Sequence, residues 1–198
     1  MIFKIAAKRW GEETADLPMV LDRAVDPEVD HIRGPQDAQL TLVEYIDFEC
    51  EYCAHATGSW EDLSGQFGDD LRYVVRHLPH HPHGPLAARA SEAAANQGEF
   101  WRWLDLVFTH QDALEREQLI GYAEELGLDV NRFVHDMDSE AVAERVDRDL
   151  ASAEASGAHA TPTFFVEGHR LVGDYDARTL TAALESSRRG TRTQDAAV

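Results

Sequence analysis

Strand-forming sequence is confined to two places in this chain, and the interruption limits the folds open to it. Residues 40–47 (LTLVEYID) and 71–77 (LRYVVRH) are apolar and rich in β-formers, and read as buried strands. Residues 50–67 between them read as a helix, and Gly68-Asp69-Asp70 as a turn. A β-α-β unit of this kind runs its strands parallel through a right-handed crossover. Residues 85–156 then carry no strand signal. Helices are expected at 86–96, 100–108, 115–126, 129–137 and 139–155, punctuated by Gly98, Gly127 and Gly157. Phe100, Trp101, Trp103 and Phe108 recur at helical spacing, the pattern of a core face rather than a binding platform. Strand signal returns at 163–166 (TFFV) and 170–172, around a hairpin at Glu167-Gly168-His169, with a last helix expected over 176–187. The fold class is α/β, with an all-helical insert between a β-α-β half and a β-β-α half.

A length of 198 residues suits one domain with an elaboration. Asp and Glu number 37 against 18 Lys and Arg, a net charge of −19. That balance excludes a nucleic-acid binder, which needs a basic footprint, and a general binder of anionic membranes. No apolar run is long enough to span a bilayer, so no direct membrane insertion is expected. The leading MIFKIAAKRW is broken by Lys4, Lys8 and Arg9, too early for a signal peptide. A cytoplasmic protein is therefore expected, with export as the alternative. Residues 1–37, with Pro18, Pro27 and Pro35 among many acids, read as an N-terminal arm or linker. Residues 38–84 and 158–188 form the discontinuous α/β domain, 85–157 the helical insert, and 189–198 a flexible tail.

The only two cysteines sit together, as Cys50-Glu51-Tyr52-Cys53, where the first strand gives way to a helix. Two intervening residues in a first helical turn bring the sulfurs within disulfide reach. The free N–H groups there favour a thiolate on Cys50, while Cys53 lies deeper and can resolve a mixed disulfide. The same spacing can be half of a zinc site, which needs two further ligands, or a structural disulfide. Glu44 lies in the strand six residues before Cys50, where a buried carboxylate could move the Cys53 proton. Thr161-Pro162 opens the TFFV strand, and X-Pro is where a cis bond is accessible; such a bond would present the Thr161 backbone to a peptide.

VEYIDFECEYC, RHLP, QGEFWRWLDLVFTHQDAL and ATPTFFVEGHRLVG together resemble the DsbA-like thiol–disulfide oxidoreductases of the thioredoxin superfamily. The resemblance covers about residues 40–187. It implies a thioredoxin fold, a central mixed sheet flanked by helices, with the helical domain inserted between its halves. It makes Cys50 the attacking thiol and Cys53 the resolver. It likens Glu44 to the buried acid and Pro162 to a cis-proline facing the disulfide. The stretch DPEVDHIRGPQDAQLTLVEYIDFECEYC is similar to the soluble thioredoxin-like domain fused behind some sodium/proton antiporters. On that likeness MIFKIAAKRW is the end of a last membrane helix.

Glu51, with Asp47 and Glu49 just before, is expected to oppose the thiolate. A carboxylate about 6 Å from the sulfur, at an effective dielectric near 40, costs it about 1.4 kcal/mol. The helix end returns about 0.5–2 kcal/mol. Cys50 is thus expected to titrate near about 7, and the pair to lie at about −270 to −180 mV. His159 precedes Ala160 and Thr161 where glycine is common, and would favour the thiolate if it faces the sulfurs. Tyr52, exposed between the cysteines, is a candidate substrate contact. His77, His80, His81 and His83 crowd RHLPHHPHG, which reads either as a metal-binding loop or as a plain lead into the next helix.

The leading expectation is dithiol–disulfide exchange with protein or peptide thiols, needing no organic cofactor and no metal. An unidentified redox partner would reset the pair, and the chain would be a monomer or weak dimer. The alternatives are a redox-sensing module on a membrane transporter and a metal-binding protein using the cysteines with the histidine loop.

Overall fold

The computed structural model describes residues 18–195. The leader MIFKIAAKRW and residues 196–198 of the expected tail lie outside them. Five strands form one mixed sheet: β1 (His31–Arg33), β2 (Leu40–Ile46), β3 (Leu71–His77), β4 (Thr163–Val166) and β5 (His169–Arg170), in the order β1-β3-β2-β4-β5. β2 and β3 pair in parallel, Leu40 opposite Leu71 through Ile46 opposite His77, and every other pairing is antiparallel. The crossover from β2 to β3 is two helices, α1 (Glu51–Thr57) and α2 (Trp60–Phe67), where the sequence reads as one. Gly58 and Ser59, both weak helix formers, divide them.

The insert is five helices: α3 (Gly84–Ala95), α4 (Phe100–Phe108), α5 (Arg116–Glu125), α6 (Val130–Met137) and α7 (Glu140–Ala155). Asp129 caps α6 by accepting from Arg132 N–H, and Ser139 caps α7 by accepting from Val142 N–H. Of the α4 aromatics, Phe100 and Trp103 are buried as their spacing predicts, while Trp101 and Phe108 are half-buried against the same core. The chain re-enters the sheet at β4 and turns into β5 through Glu167 and Gly168. Both have positive φ, 50° and 76°, and the hairpin closes one residue earlier than the sequence suggests. The final helix, α8 (Ala177–Asp195), runs beyond the expected stop at 187.

Alternation along β2 and β3 divides the interior. Leu40, Leu42, Ile46, Leu71, Tyr73 and Val75 face the larger core, shared with α1, α2, α8 and most of the insert. Val43, Tyr45, Val74 and Phe165 face a smaller core that holds Ala153 and Ala158. That smaller side also carries charge. Arg76 is wholly buried, bonds both carboxylate oxygens of Asp30 at 3.0 and 2.9 Å, and donates to the carbonyls of Arg23 and Ala24.

The 18–37 stretch, expected to be arm or linker, is therefore packed onto the domain. β1 extends the sheet, Leu21 N–H bonds Gly168 O, and Arg170 N–H bonds Met19 O. A three-residue strand held by buried ion pairs has no apolar periodicity to show it. On the other side of the sheet, Glu92 of α3 accepts from His31 and His77 at 2.7 Å each and ties the insert to two strands.

Candidate active site

β2 ends at Ile46, and the turn that follows delivers Cys50 to the N-cap of α1 with extended backbone, φ −84° and ψ 115°. Cys50 N–H bonds Asp47 O at 3.1 Å, and Cys53 N–H bonds Cys50 O at 3.1 Å. The insert grips the same turn: Gln111, just past α4, donates from Nε2 to the carbonyls of Phe48 and Cys50 at 2.7 and 2.8 Å. A lone glutamine after a helix carries no signal of this role in sequence.

The two thiols stand in different surroundings. Cys53 is fully buried, and Cys50 is 5% exposed, its Sγ 3.4 Å from the Thr161 carbonyl oxygen. A hydrogen bond from the Cys53 thiol, helped by Thr161 and the N–H groups of Cys53 and Tyr52, lowers the Cys50 pKa to about 5 against the cost of burial. Burial, the hydrogen bond to Cys50 and the nearby Glu44 charge push the Cys53 thiol well up. The two thiols are thereby separated by environment rather than by residue type.

Glu51 is exposed, and the groups that lower the Cys50 pKa are the Cys53 thiol, Thr161 and the N–H groups of Cys53 and Tyr52. The other two acids are engaged elsewhere. Asp47 accepts from His80 N–H, His81 N–H and the His81 ring at 2.7–2.9 Å, and Glu49 accepts from His83 N–H and its ring. Burial opposes the Asp47 charge, but hydrogen bonds from His81, Glu49 and His80 hold its carboxyl below the usual range. The bond to Asp47, assisted by Asp47 and Cys50 charge, raises the His81 pKa. His81 and Cys50 are therefore coupled through charge.

His159, expected as a tuner, is exposed and lines a groove with Leu78, His80 and Leu150. The histidine loop does not converge with the cysteines. Among the described residues the ligand-type atoms gathered within 4.8 Å are those of His31, His77 and Glu92, and Arg145 already lies 3.9 Å from that carboxylate.

Glu44 lies wholly buried under the site. Burial raises its pKa to about 8, against the hydrogen bond that Tyr73 donates to Oε2. Tyr73 in turn stacks on Trp60, with ring centroids 5.6 Å apart. The Thr161–Pro162 bond is cis. Tyr52 is 55% exposed and meets Tyr175 edge-on at 6.3 Å, and the Cys50 charge reaches Tyr175. Tyr73, Gln111 and Tyr175 are the site's members that sequence reasoning missed, and His81 is read there only as part of the histidine loop.

A thioredoxin family model matches residues 26–186. This chain belongs to the thioredoxin family. Within it, the fold resembles a thioredoxin-like oxidoreductase from Silicibacter pomeroyi, 27% identical, with a TM-score of 0.75 over 83% of this chain and 94% of that one. It shares the fold of BdbD from Bacillus subtilis, 21% identical, with a TM-score of 0.73 over 86% and 96%. The curated relatives carry this thioredoxin-like region as part of a longer protein. The Na(+)/H(+) antiporter NhaA of Herminiimonas arsenicoxydans is 80% identical over 195 residues, 98% of this chain and 31% of that protein. NhaA 1 of Mycolicibacterium gilvum is 46% identical over 94% of this chain and 31% of its own length. The chain thus spans about a third of the curated relatives it matches. Among the described residues no helix is long and apolar enough to cross a membrane.

Proposed function

We propose that the domain exchanges dithiols and disulfides with protein or peptide substrates. The observation that carries this reading is the asymmetry of the pair: a Cys50 thiol lowered to about 5 at the mouth of the site, over a Cys53 thiol held protonated beneath it. Cys50 thiolate attacks a substrate disulfide, one substrate sulfur leaves, and a mixed disulfide forms. Cys53 then attacks Cys50 Sγ, giving up its proton to Glu44, and the second substrate sulfur leaves. The reverse sequence oxidises a substrate dithiol. Thr161 and Pro162 border Cys50 and offer backbone to an extended peptide, with Tyr52 and Tyr175 beside it.

A thiol near 5 lies between the ordinary values of thioredoxin, about 7, and DsbA, about 3.5, so the potential falls between about −270 and −120 mV. Equilibration in glutathione buffers with alkylation of free thiols measures it directly. The reading further expects Cys53→Ser to trap mixed disulfides on Cys50 and Cys50→Ser to trap none. A wild-type protein that reduces no disulfide and traps no partner ends it.

The relatives support a second reading, in which the pair reports redox state to an attached cation/proton antiporter. Transport by such an antiporter, assayed in vesicles with the pair oxidised and reduced, discriminates: equal rates leave simple exchange.

A further inference from the structure

The face that a substrate meets around Cys50 is aromatic and acidic. Tyr52 stands 55% exposed on α1 and meets the half-buried Tyr175 edge-on, with ring centroids 6.3 Å apart. Tyr175 lies in the loop 171–176 between β5 and α8, close enough to the site for the Cys50 and Cys53 charges to act on it. The charge of Asp174 acts on it as well. Val172 of the same loop is 64% exposed. Glu51, exposed at the first position of α1, stands between Cys50 and Tyr52 in the chain.

The acids of this region divide into two groups. Asp47 is held by the His81 ring and Glu49 by the His83 ring, and Asp176 accepts from Thr179 N–H at the start of α8. Glu51 and Asp174 are both exposed, and among the described residues neither is paired with a cation. Unpaired acids are expected on a chain of net charge −19 and alone mark nothing. These two are the chain neighbours of the two accessible rings beside the nucleophile.

An aromatic face attracts a cation through its quadrupole, and a carboxylate beside it adds to the attraction. A long cationic side chain also has an apolar stem to lay along the rings and Val172. An acidic side chain in the same place meets two like charges and the Cys50 thiolate. The charge of the whole molecule favours the same partner, because it steers cations inward and repels anions on approach.

We propose that Tyr52, Tyr175, Glu51 and Asp174 select substrates that carry an arginine or lysine beside the reacting cysteine. The inference rests on the exchange reaction above and names its substrate class. Thr161, whose carbonyl oxygen is 3.4 Å from Cys50 Sγ, takes the substrate backbone, and the cationic side chain lies on the tyrosine pair. The four residues act by binding alone and move no electron or proton.

The test uses reduced protein and short peptides whose single cysteine is joined in a mixed disulfide to thionitrobenzoate. The cysteine is flanked on both sides by arginine, by glycine or by glutamate. Cys50 thiolate attacks the peptide sulfur, the Cys50–peptide bond forms, and the bond to thionitrobenzoate breaks, releasing the coloured aryl thiolate. Cys53 then attacks Cys50 Sγ, and the peptide leaves as a thiolate. The cysteine pair is oxidised and the mixed disulfide reduced. Every peptide has the same leaving group, and dividing each rate by that of mercaptoethanol thiolate with the same peptide removes intrinsic reactivity.

At physiological salt, charges more than about 8 Å apart are largely screened, so contacts on the face dominate over the net charge. The arginine peptide should then react about tenfold faster than the glutamate peptide, with glycine between them. Glu51→Gln with Asp174→Asn should cut that ratio about threefold or more, and Tyr52→Ser should cut it further. Asp62→Asn with Asp69→Asn removes the same charge from exposed positions in α2 and the turn after it, and should leave the ratio as it is. A merely structural defect slows all three peptides alike and does not move the ratio. Equal normalised rates for the three peptides overturn the assignment, as does a ratio that falls as far in the Asp62 and Asp69 variant as in the Glu51 and Asp174 variant. Either result leaves exchange intact. Failure of the wild type to release the aryl thiolate from any peptide instead overturns the exchange reading itself.

Discussion

Cys50 takes its character from the Cys53 thiol, Thr161 and the N–H groups of its own turn, so its titration is the most direct residue-scale check. Thiolate absorbance should rise with a midpoint of about 5. Glu51→Gln should move that midpoint little, because Glu51 is exposed. His81→Gln should raise it, because the imidazolium held by Asp47 at 2.8 Å is removed from the thiolate's field. The same shift makes the stability of the reduced form depend on pH. A folded-state pKa below the unfolded value, 9.0 for a free thiol, contributes stability that is complete above about 9 and lost as pH falls through about 5. Glu44 acts in the opposite sense, its raised pKa making stability fall as pH rises from about 4.5 to about 8. Both redox forms contain Glu44 and only the reduced form has the thiolate. Urea unfolding of the two forms should therefore show the reduced protein gaining on the oxidised one between pH 5 and 9. A constant difference across that range would contradict the Cys50 assignment.

At the scale of elements, the active-site turn is held as much by the insert as by the sheet that delivers it. Gln111 satisfies two carbonyls at the start of α1, and the loop between β3 and α3 satisfies Asp47 and Glu49. Gly84, at the start of α3, lies close enough that an added Cβ would meet Asp47 Oδ1 at 2.8 Å. Gln111→Ala takes the side-chain donor from the Phe48 carbonyl, while the Cys50 carbonyl keeps Cys53 N–H, a loss of about 1–3 kcal/mol. Hydrogen exchange should report it as faster exchange of the amides at 50–54 than of those in β2 and β3. Uniform acceleration would mean that Gln111 supports the whole domain and not the turn. None of this was legible from motifs. The helices of the insert were, because Ala-rich and amphipathic stretches end at glycines. Which of their side chains reach back to the turn depends on how the bundle docks.

Across the whole molecule, the segment before β2 is bound by charge where the sequence suggests a linker. Arg23, Asp30, Arg76, Arg145 and Asp149 form one chain of ion pairs between that segment, β3 and α7. Removing one member leaves a buried charge unpaired. Asp30→Ala should cost about 3–5 kcal/mol in urea unfolding, because Arg76 keeps its charge and loses both carboxylate contacts. Arg76→Met with Asp30→Ala should recover most of that loss, since the pair then leaves together. A double variant no more stable than the single one would assign the effect to packing.

Local chemistry settled a large part of this protein before any folding was considered. Strand composition, helix periodicity and turn residues define the β-α-β half, the helical insert and the β-β-α half, because each signal spans neighbours along the chain. The Cys50–Cys53 spacing likewise places both sulfurs on one helical turn, and Glu44 falls on the strand face beneath them by simple alternation. Only the tertiary structure decided the electrostatics. Acids that stand beside Cys50 in sequence turn away to His81 and His83, and the burial of Cys53 and Glu44 depends on residues tens of positions distant. Charge and desolvation act through space, so adjacency along the chain predicts the wrong partners for Asp47 and Glu49.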